Sequence, residues 1–268
     1  MSADHDAPGV GQGPALFSDE RQEAILAEVS REGRASVAAL AERFAVVGET
    51  IRRDLAELER RGVIRRVHGG AIPAEKATPE PPIEDRATQM TGEKERIAQA
   101  ALGELPAEGS VFIEAGSTPS YLASALPPDR PLTVVTNGGY IANALARHDN
   151  LTVLSVGGRV RPRSLACVDD WALDVLSGLH VDVAFLGTNG ISAGAGLTTP
   201  DLAEAAVKRA TLTIAARTVL LADHSKVGVV SLARYGGLHQ IDLLITDAGL
   251  AIEDMRELED AGLRVIRA

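Results

Sequence analysis

Apolar residues recur at helical spacing through the first quarter of the chain. Ile25, Leu26 and Val29 form one stripe, which predicts a helix over about 19–32, with Ser18 as its N-cap and Gly33 as its stop. Val37, Leu40, Ala41 and Phe44 follow at i, i+3, i+4 and i+7, so a second helix starts after Ser36, whose hydroxyl suits a cap. A short turn over 45–48 leads to Ile51, Leu55 and Leu58, the apolar face of a third helix that Gly62 closes. Residues 63–67 then read as a strand, 68–70 as a tight turn and 71–72 as the returning strand. Three short helices followed by a hairpin predict a winged helix-turn-helix.

The pattern changes downstream. Residues 73–92 hold Pro73, Pro79, Pro81 and Pro82 among charged residues and predict an extended connector. From Glu93 onward, helical stretches alternate with short aliphatic runs at 111–115, 132–136, 151–156, 181–186, 218–222, 243–246 and 264–266. That alternation predicts an α/β domain with a mainly parallel sheet. The expected organisation is a disordered Gly-, Pro- and Ala-rich tail over 1–16, a winged helix over 17–72, a linker over 73–92 and an α/β domain over 93–268.

In the third helix, Arg53 is rotated by about 200° from Ile51 and points away from the core. Thr50, Arg52 and Arg53 occupy the first turns, where a recognition helix presents side chains to base edges, and an arginine there grips guanine or a phosphate. A plain exposed helix with Glu49–Arg53 and Glu57–Arg61 pairs is the competing reading. The formal net charge of −10 speaks against a nucleic-acid binder, but over 19–72 ten arginines balance ten acidic residues, so the acidity lies elsewhere. Cys167 is the only cysteine, which excludes an intrachain disulfide and a cysteine zinc finger and suits a reduced cytoplasmic setting. No apolar run has the length of a membrane span, and the N-terminus has no signal-peptide pattern.

Polar and glycine-rich residues gather after the predicted strands, where open α/β sheets bind ligands: Glu114, Gly116, Ser117 and Thr118 after the first, Asn137 after the second, Gly158 and Arg159 after the third, Asn189 after the fourth, Asp223, Ser225 and Lys226 after the fifth. Small residues let backbone N–H groups approach an anion. Arg159, Lys208 and Lys226 supply positive charge, while Glu114, Asn137 and Asp223 suit hydroxyls, a mixture fitted to a phosphorylated polyol. Each element also has a plainer account: turn glycines, an ordinary Glu204–Lys208 pair, or Asp223 capping its own turn. There is no Walker loop and no suitably placed GxGxxG, and no cofactor or metal is expected.

The runs AILAEVSREGRASVAALAERF and ETIRRDLAELERRGVIRRVHGGA resemble the DNA-binding domain of the DeoR family of bacterial transcriptional regulators. VFIEAGST, LTVVTN, VGGRVRPRSLA, VDVAFLGTNGI, GLTTPDLAEAAVKRA, LLADHSKVG and LLITDAGL resemble the sensor domain of the same family. The resemblance implies that Thr50, Arg52 and Arg53 lie in the recognition helix and that Arg65, Arg66 and His68 meet DNA from the wing; Ser36 is counted with them. It implies a sensor similar to ribose-5-phosphate isomerase that binds a phosphorylated sugar, with Gly116, Ser117 and Thr118 on one side and Asn137, Lys208, Asp223 and Lys226 around the rest. Two departures stand out: Val47 where the family usually has serine, leaving Gly48 to cap the recognition helix, and Glu114 where it usually has aspartate. The expectation is a cytoplasmic repressor of a carbohydrate operon, not an enzyme, that binds double-stranded operator DNA as a homodimer or higher oligomer. A sugar-phosphate isomerase with an accessory DNA-binding head is the alternative.

Overall fold

A computed structural model describes residues 18–32, 34–60, 64–67, 69–73 and 80–268, without the side chains of Asp19, Ser30, Arg31, Arg60, Arg65, Val67 and Pro73. The expected tail over 1–16, the stops Gly33 and Gly62, and His68 lie outside the described residues. The chain divides into two compact units, residues 1–79 and 80–268.

In the smaller unit, helices Ser18–Glu32, Val37–Arg43 and Gly48–Arg60 close around Ile25, Val29, Leu40, Ile51, Leu55, Leu58 and Ile64, all buried. Leu26, Val37, Ala41 and Phe44, expected on the apolar faces, are only partly buried against this core. Ser36 caps the second helix, accepting from Ala39 N at 3.1 Å. The turn after it passes through Ala45 in the left-handed region, φ 52°. The hairpin strands Ile64–Val67 and Gly70–Pro73 pair antiparallel, and Ala35–Ser36 adds a third strand against Gly70 and Ala71. The two glycines of the hairpin have separate reasons. Gly69 takes φ 79°, which favours glycine, and a Cβ on Gly70 would lie 2.2 Å from the Ala35 carbonyl oxygen.

In the larger unit, all seven expected runs are strands of one parallel sheet. From edge to edge they run Val265–Arg267, Leu243–Thr246, Ala215–Leu221, Val181–Leu186, Gly109–Ile113, Leu132–Thr136 and Leu151–Ser155. Strand residues alternate between two cores, as burial on both faces of a parallel sheet demands. Val111, Ile113, Val183 and Phe185 meet helices Thr91–Ala101, Ser117–Ser124 and Gly139–Leu145 on one side. Phe112, Ala184, Leu186 and Leu220 meet helices Asp170–Ser177, Leu202–Ile214 and Ile252–Asp260 on the other. The chain first builds outward from Gly109–Ile113 in one direction, then returns and builds outward from Val181–Leu186 in the other. The order therefore reverses between these two strands, and their carboxyl ends are where such sheets open a crevice.

Residues 80–92 differ from the expected connector. They belong to the larger unit, where Ile83–Ala87 is a helix with Ile83 buried and Pro82 at its N-cap. The prolines here start a helix, a role that their fixed φ suits as well as it suits an extended linker. Among the described residues no helix is long and apolar enough to cross a membrane, and no cluster of three or more His, Cys, Asp or Glu could hold a metal.

Candidate nucleic-acid interface and effector cleft

The third helix of the smaller unit buries Ile51, Leu55 and Leu58 and turns Arg52 and Arg53 to the exterior. Glu49 pairs with Arg52 at 3.0 Å rather than with Arg53, and both partners of the pair are more than 60% exposed. Such a pair contributes about 0–1 kcal/mol and yields readily to a phosphate. Gly48 is the first helical residue, not the cap; Val47 precedes it, 70% exposed, and its carbonyl accepts from Thr50 N at 2.9 Å. Arg66, expected on the wing's DNA face, is braced against the helix: its N–H donates to Glu59 Oε1 at 2.9 Å and its Nε lies 3.2 Å from Glu59 Oε2. The side chains of Arg65 and His68 lie outside the described residues.

Asp54 has a role that the amphipathic pattern did not indicate. It is 3% exposed and takes a two-pronged contact from Arg21, Nε to Oδ2 at 2.6 Å and a terminal nitrogen to Oδ1 at 3.2 Å, with Gln22 and Ser18 also donating to Oδ1. The hydrogen bond to Asp54 raises the Arg21 guanidinium above its ordinary value. This buried polar knot fixes the first helix to the third.

In the larger unit a cleft of about 80 Å³ opens at the carboxyl ends of the two strands where the order reverses. Glu114, Gly116, Ser117, Thr118, Asn189, Lys208, Asp223, Ser225 and Lys226 line it, as the sequence reading had them together. Three expected residues are elsewhere. Asn137 is buried as a bracket, its Oδ1 accepting from Ala115 N at 2.8 Å and its Nδ2 donating to the Cys167 carbonyl at 3.4 Å. Gly158 and Arg159 belong to a separate surface hollow beside Trp171, where Arg159 pairs with Asp169 at 2.6 Å. The third strand, at the sheet edge, lies two strands from the reversal, so its carboxyl end lies away from the cleft.

Lys208 does not pair with Glu204 four residues earlier. Its ammonium reaches Glu114 Oε1 at 2.6 Å and the Gly187 carbonyl at 2.8 Å, and lies 5.1 Å from the centre of the Tyr235 ring. Burial works against the Lys208 charge, but Glu114, Tyr235 and Glu204 together outweigh burial and hold the ammonium above its ordinary value. Burial pushes the Tyr235 phenol up to about 12. Glu114 also accepts from Gly187 N at 2.8 Å, so this carboxylate is fully engaged. Glu204 belongs to a second network, with Thr199 at 3.1 Å, Arg161 at 3.2 Å and Ser164. Asp223 caps its own turn through Ser225 N at 3.1 Å, as the plainer reading had it. Gly116 precedes helix Ser117–Ser124 with no side chain capping it, so the first amides of that helix are left for a ligand.

The cleft also has residues that the strand-end rule missed. Glu80, Arg86 and Lys94 come from the segment read as a connector and the helix after it. Lys94 is buried and donates to the Arg86 carbonyl at 2.5 Å and to that of Gln89; burial pulls its pKa down. Thr188 and Ser164 also line it. The charged lining is balanced: Arg86, Lys94, Lys208 and Lys226 against Glu80, Glu114, Glu204 and Asp223.

Residues 21–77 match the DeoR-like helix-turn-helix domain and residues 89–248 match the DeoR C terminal sensor domain. The HTH-type transcriptional regulator GlpR of Haloferax volcanii is 38% identical over 251 residues, covering 94% of this chain and 98% of its own. The glycerol-3-phosphate regulon repressor of Escherichia coli is 34% identical over 242 residues, covering 90% and 95%. Ribose 5 phosphate isomerase A from Neisseria gonorrhoeae aligns with 52% of this chain and 54% of its own at 19% identity and a TM-score of 0.38, a likeness too distant to bear on function.

Proposed function

The chain belongs to the DeoR family of transcriptional regulators, and from that premise we propose that it is a repressor of a carbohydrate-metabolism operon, released from its operator by a phosphorylated sugar or polyol. The observation that carries the effector class is the cleft itself. It sits at the reversal of strand order and combines the uncapped amides at Ser117 and Thr118 with Lys226, which no described residue pairs in an ion pair. Amides at a helix start, a lysine and the Asn189 side-chain amide suit a phosphate; Ser225 suits a hydroxyl. The cleft is small, and one relative is named for the glycerol-3-phosphate regulon, so that ester is the first effector to try.

The cleft binds rather than catalyses in this reading, because Glu114 is tied to Lys208 and Gly187 and Asp223 to Ser225, leaving no free carboxylate as a base. The chain acts in the cytoplasm, and Thr50, Arg52 and Arg53 read an operator half-site. Two copies on an inverted repeat make the working form a homodimer or a higher oligomer.

The test is a thermal-shift panel of phosphorylated sugars and their unphosphorylated parents on the full chain, since a ligand of the native state raises its stability. A shift for one ester, absent for its parent and reduced in Lys226→Ala, supports the reading. Equal shifts for ester and parent would remove the phosphate from it.

A further inference from the structure

The charge balance of the cleft poses a problem for its own ligand. A phosphate monoester brings about 1.5 to 2 negative charges, yet four carboxylates already match the four cations. One internal anion has to leave for the ester to be held well. Glu114 cannot leave cheaply, since it neutralises fully buried Lys208. Glu204 is locked by Ser164, Thr199 and Arg161, and Asp223 by its own turn.

Glu80 is different. Its carboxylate is 5% exposed and meets Arg161 at 2.5 Å, Arg86 at 3.1 Å and Asn189 Nδ2 at 3.1 Å. It stands where the chain enters the sensor unit, followed by Pro81 and Pro82, which have no N–H to donate and so leave side chains to hold this stretch. Its partners are unequally dependent on it. Arg161 keeps Asp201 at 3.0 Å and Glu204. Among the described residues, Arg86 then keeps only the Arg163 carbonyl at 3.3 Å, and its buried Nε has no acceptor. A buried guanidinium N–H without a partner is costly and marks a place for an anion.

We propose, building on the effector reading above, that Glu80 is an internal competitor for the effector's phosphate. The ester takes Arg86 and Asn189, the Glu80 carboxylate leaves, and the stretch over 80–90 is released at the point where the chain arrives from the DNA-binding unit. The signal is then a carboxylate exchanged for a phosphate on the same donors, and its size is bounded by the effector's preference for the released form.

The experiment uses the full chain and Glu80→Gln, which keeps the shape and removes the charge. Calorimetric titration with inorganic phosphate and with the ester found by the panel gives a Kd about tenfold lower in Glu80→Gln, a difference of about 1.4 kcal/mol. Amide hydrogen exchange on the unaltered chain, which needs no variant to fold, gives faster exchange over 83–92 when the ester is bound. Equal affinities in the two proteins, or slower exchange over 83–92, would overturn the competition while leaving the effector reading intact. No binding of phosphate or of any ester to either protein would remove both.

Discussion

Asp54 and Arg53 are neighbours in sequence with opposite fates, and each gives a prediction. Asp54 is buried against Arg21, Gln22 and Ser18, so Asp54→Ala removes the buried carboxylate that joins the first and third helices and lowers the stability of the smaller unit by about 3 kcal/mol, read by chemical denaturation. Arg53 is exposed, so Arg53→Ala leaves the melting temperature unchanged and weakens operator binding at least about tenfold, read by fluorescence anisotropy. A large loss of stability in Arg53→Ala would show that it serves the fold instead. Gly70→Ala forces a Cβ against the Ala35 carbonyl at 2.2 Å and costs about 1–3 kcal/mol as the wing moves. At this scale the sequence was partly legible. The 3.6-residue period sorts Ile51 from Arg53, because burial follows helix angle. The same period gives no sign that an aspartate finds an arginine 33 residues earlier. It also suggested a Glu204–Lys208 pair where the fold brings Glu114, 94 residues away, to Lys208.

At the scale of elements, the sheet was legible because a strand buried on both faces is a run of aliphatic residues, and the seven runs are the seven strands within a few residues at their ends. The strand-end rule found the cleft but overreached. It treats all carboxyl ends alike, whereas the cleft gathers those of the two strands at the reversal and of Ala215–Leu221 on one side of them, and so it included Gly158 and Arg159 and the bracket Asn137. It also missed Glu80, Arg86 and Lys94, since proline-rich composition looks the same in a linker and in a stretch anchored by side chains. The capped start of helix Leu202–Ile214 carries a pH prediction. Burial pushes Asp201 up, but bonds from Glu204 N, Ala203 N and Arg161 outweigh it and hold its carboxyl below its ordinary value. A depressed carboxylate stabilises fully above its unfolded pKa, and that contribution is lost as pH falls through the folded value. The unaltered sensor unit therefore loses stability as pH drops below about 4, and Asp201→Asn flattens that slope. An unchanged slope would take Asp201 out of the account.

At the scale of the molecule, the acidic total and the arginine-rich head are reconciled by separation: residues 19–72 are neutral and expose Arg52 and Arg53, and the acidic excess lies outside them. DNA binding through arginine and phosphate releases counterions, so operator affinity falls steeply and linearly in log salt. A slope near zero would contradict the interface assigned to Thr50, Arg52 and Arg53. The central claim is that the cleft controls the arginine-rich head. It is tested most directly by selecting an operator from a random DNA pool with the full chain and titrating that complex with the phosphorylated sugar found by the thermal-shift panel. The account predicts that the ester dissociates the complex in the concentration range where it stabilises the protein, and that the unphosphorylated parent does not. An ester that binds the cleft and leaves operator affinity unchanged would contradict it.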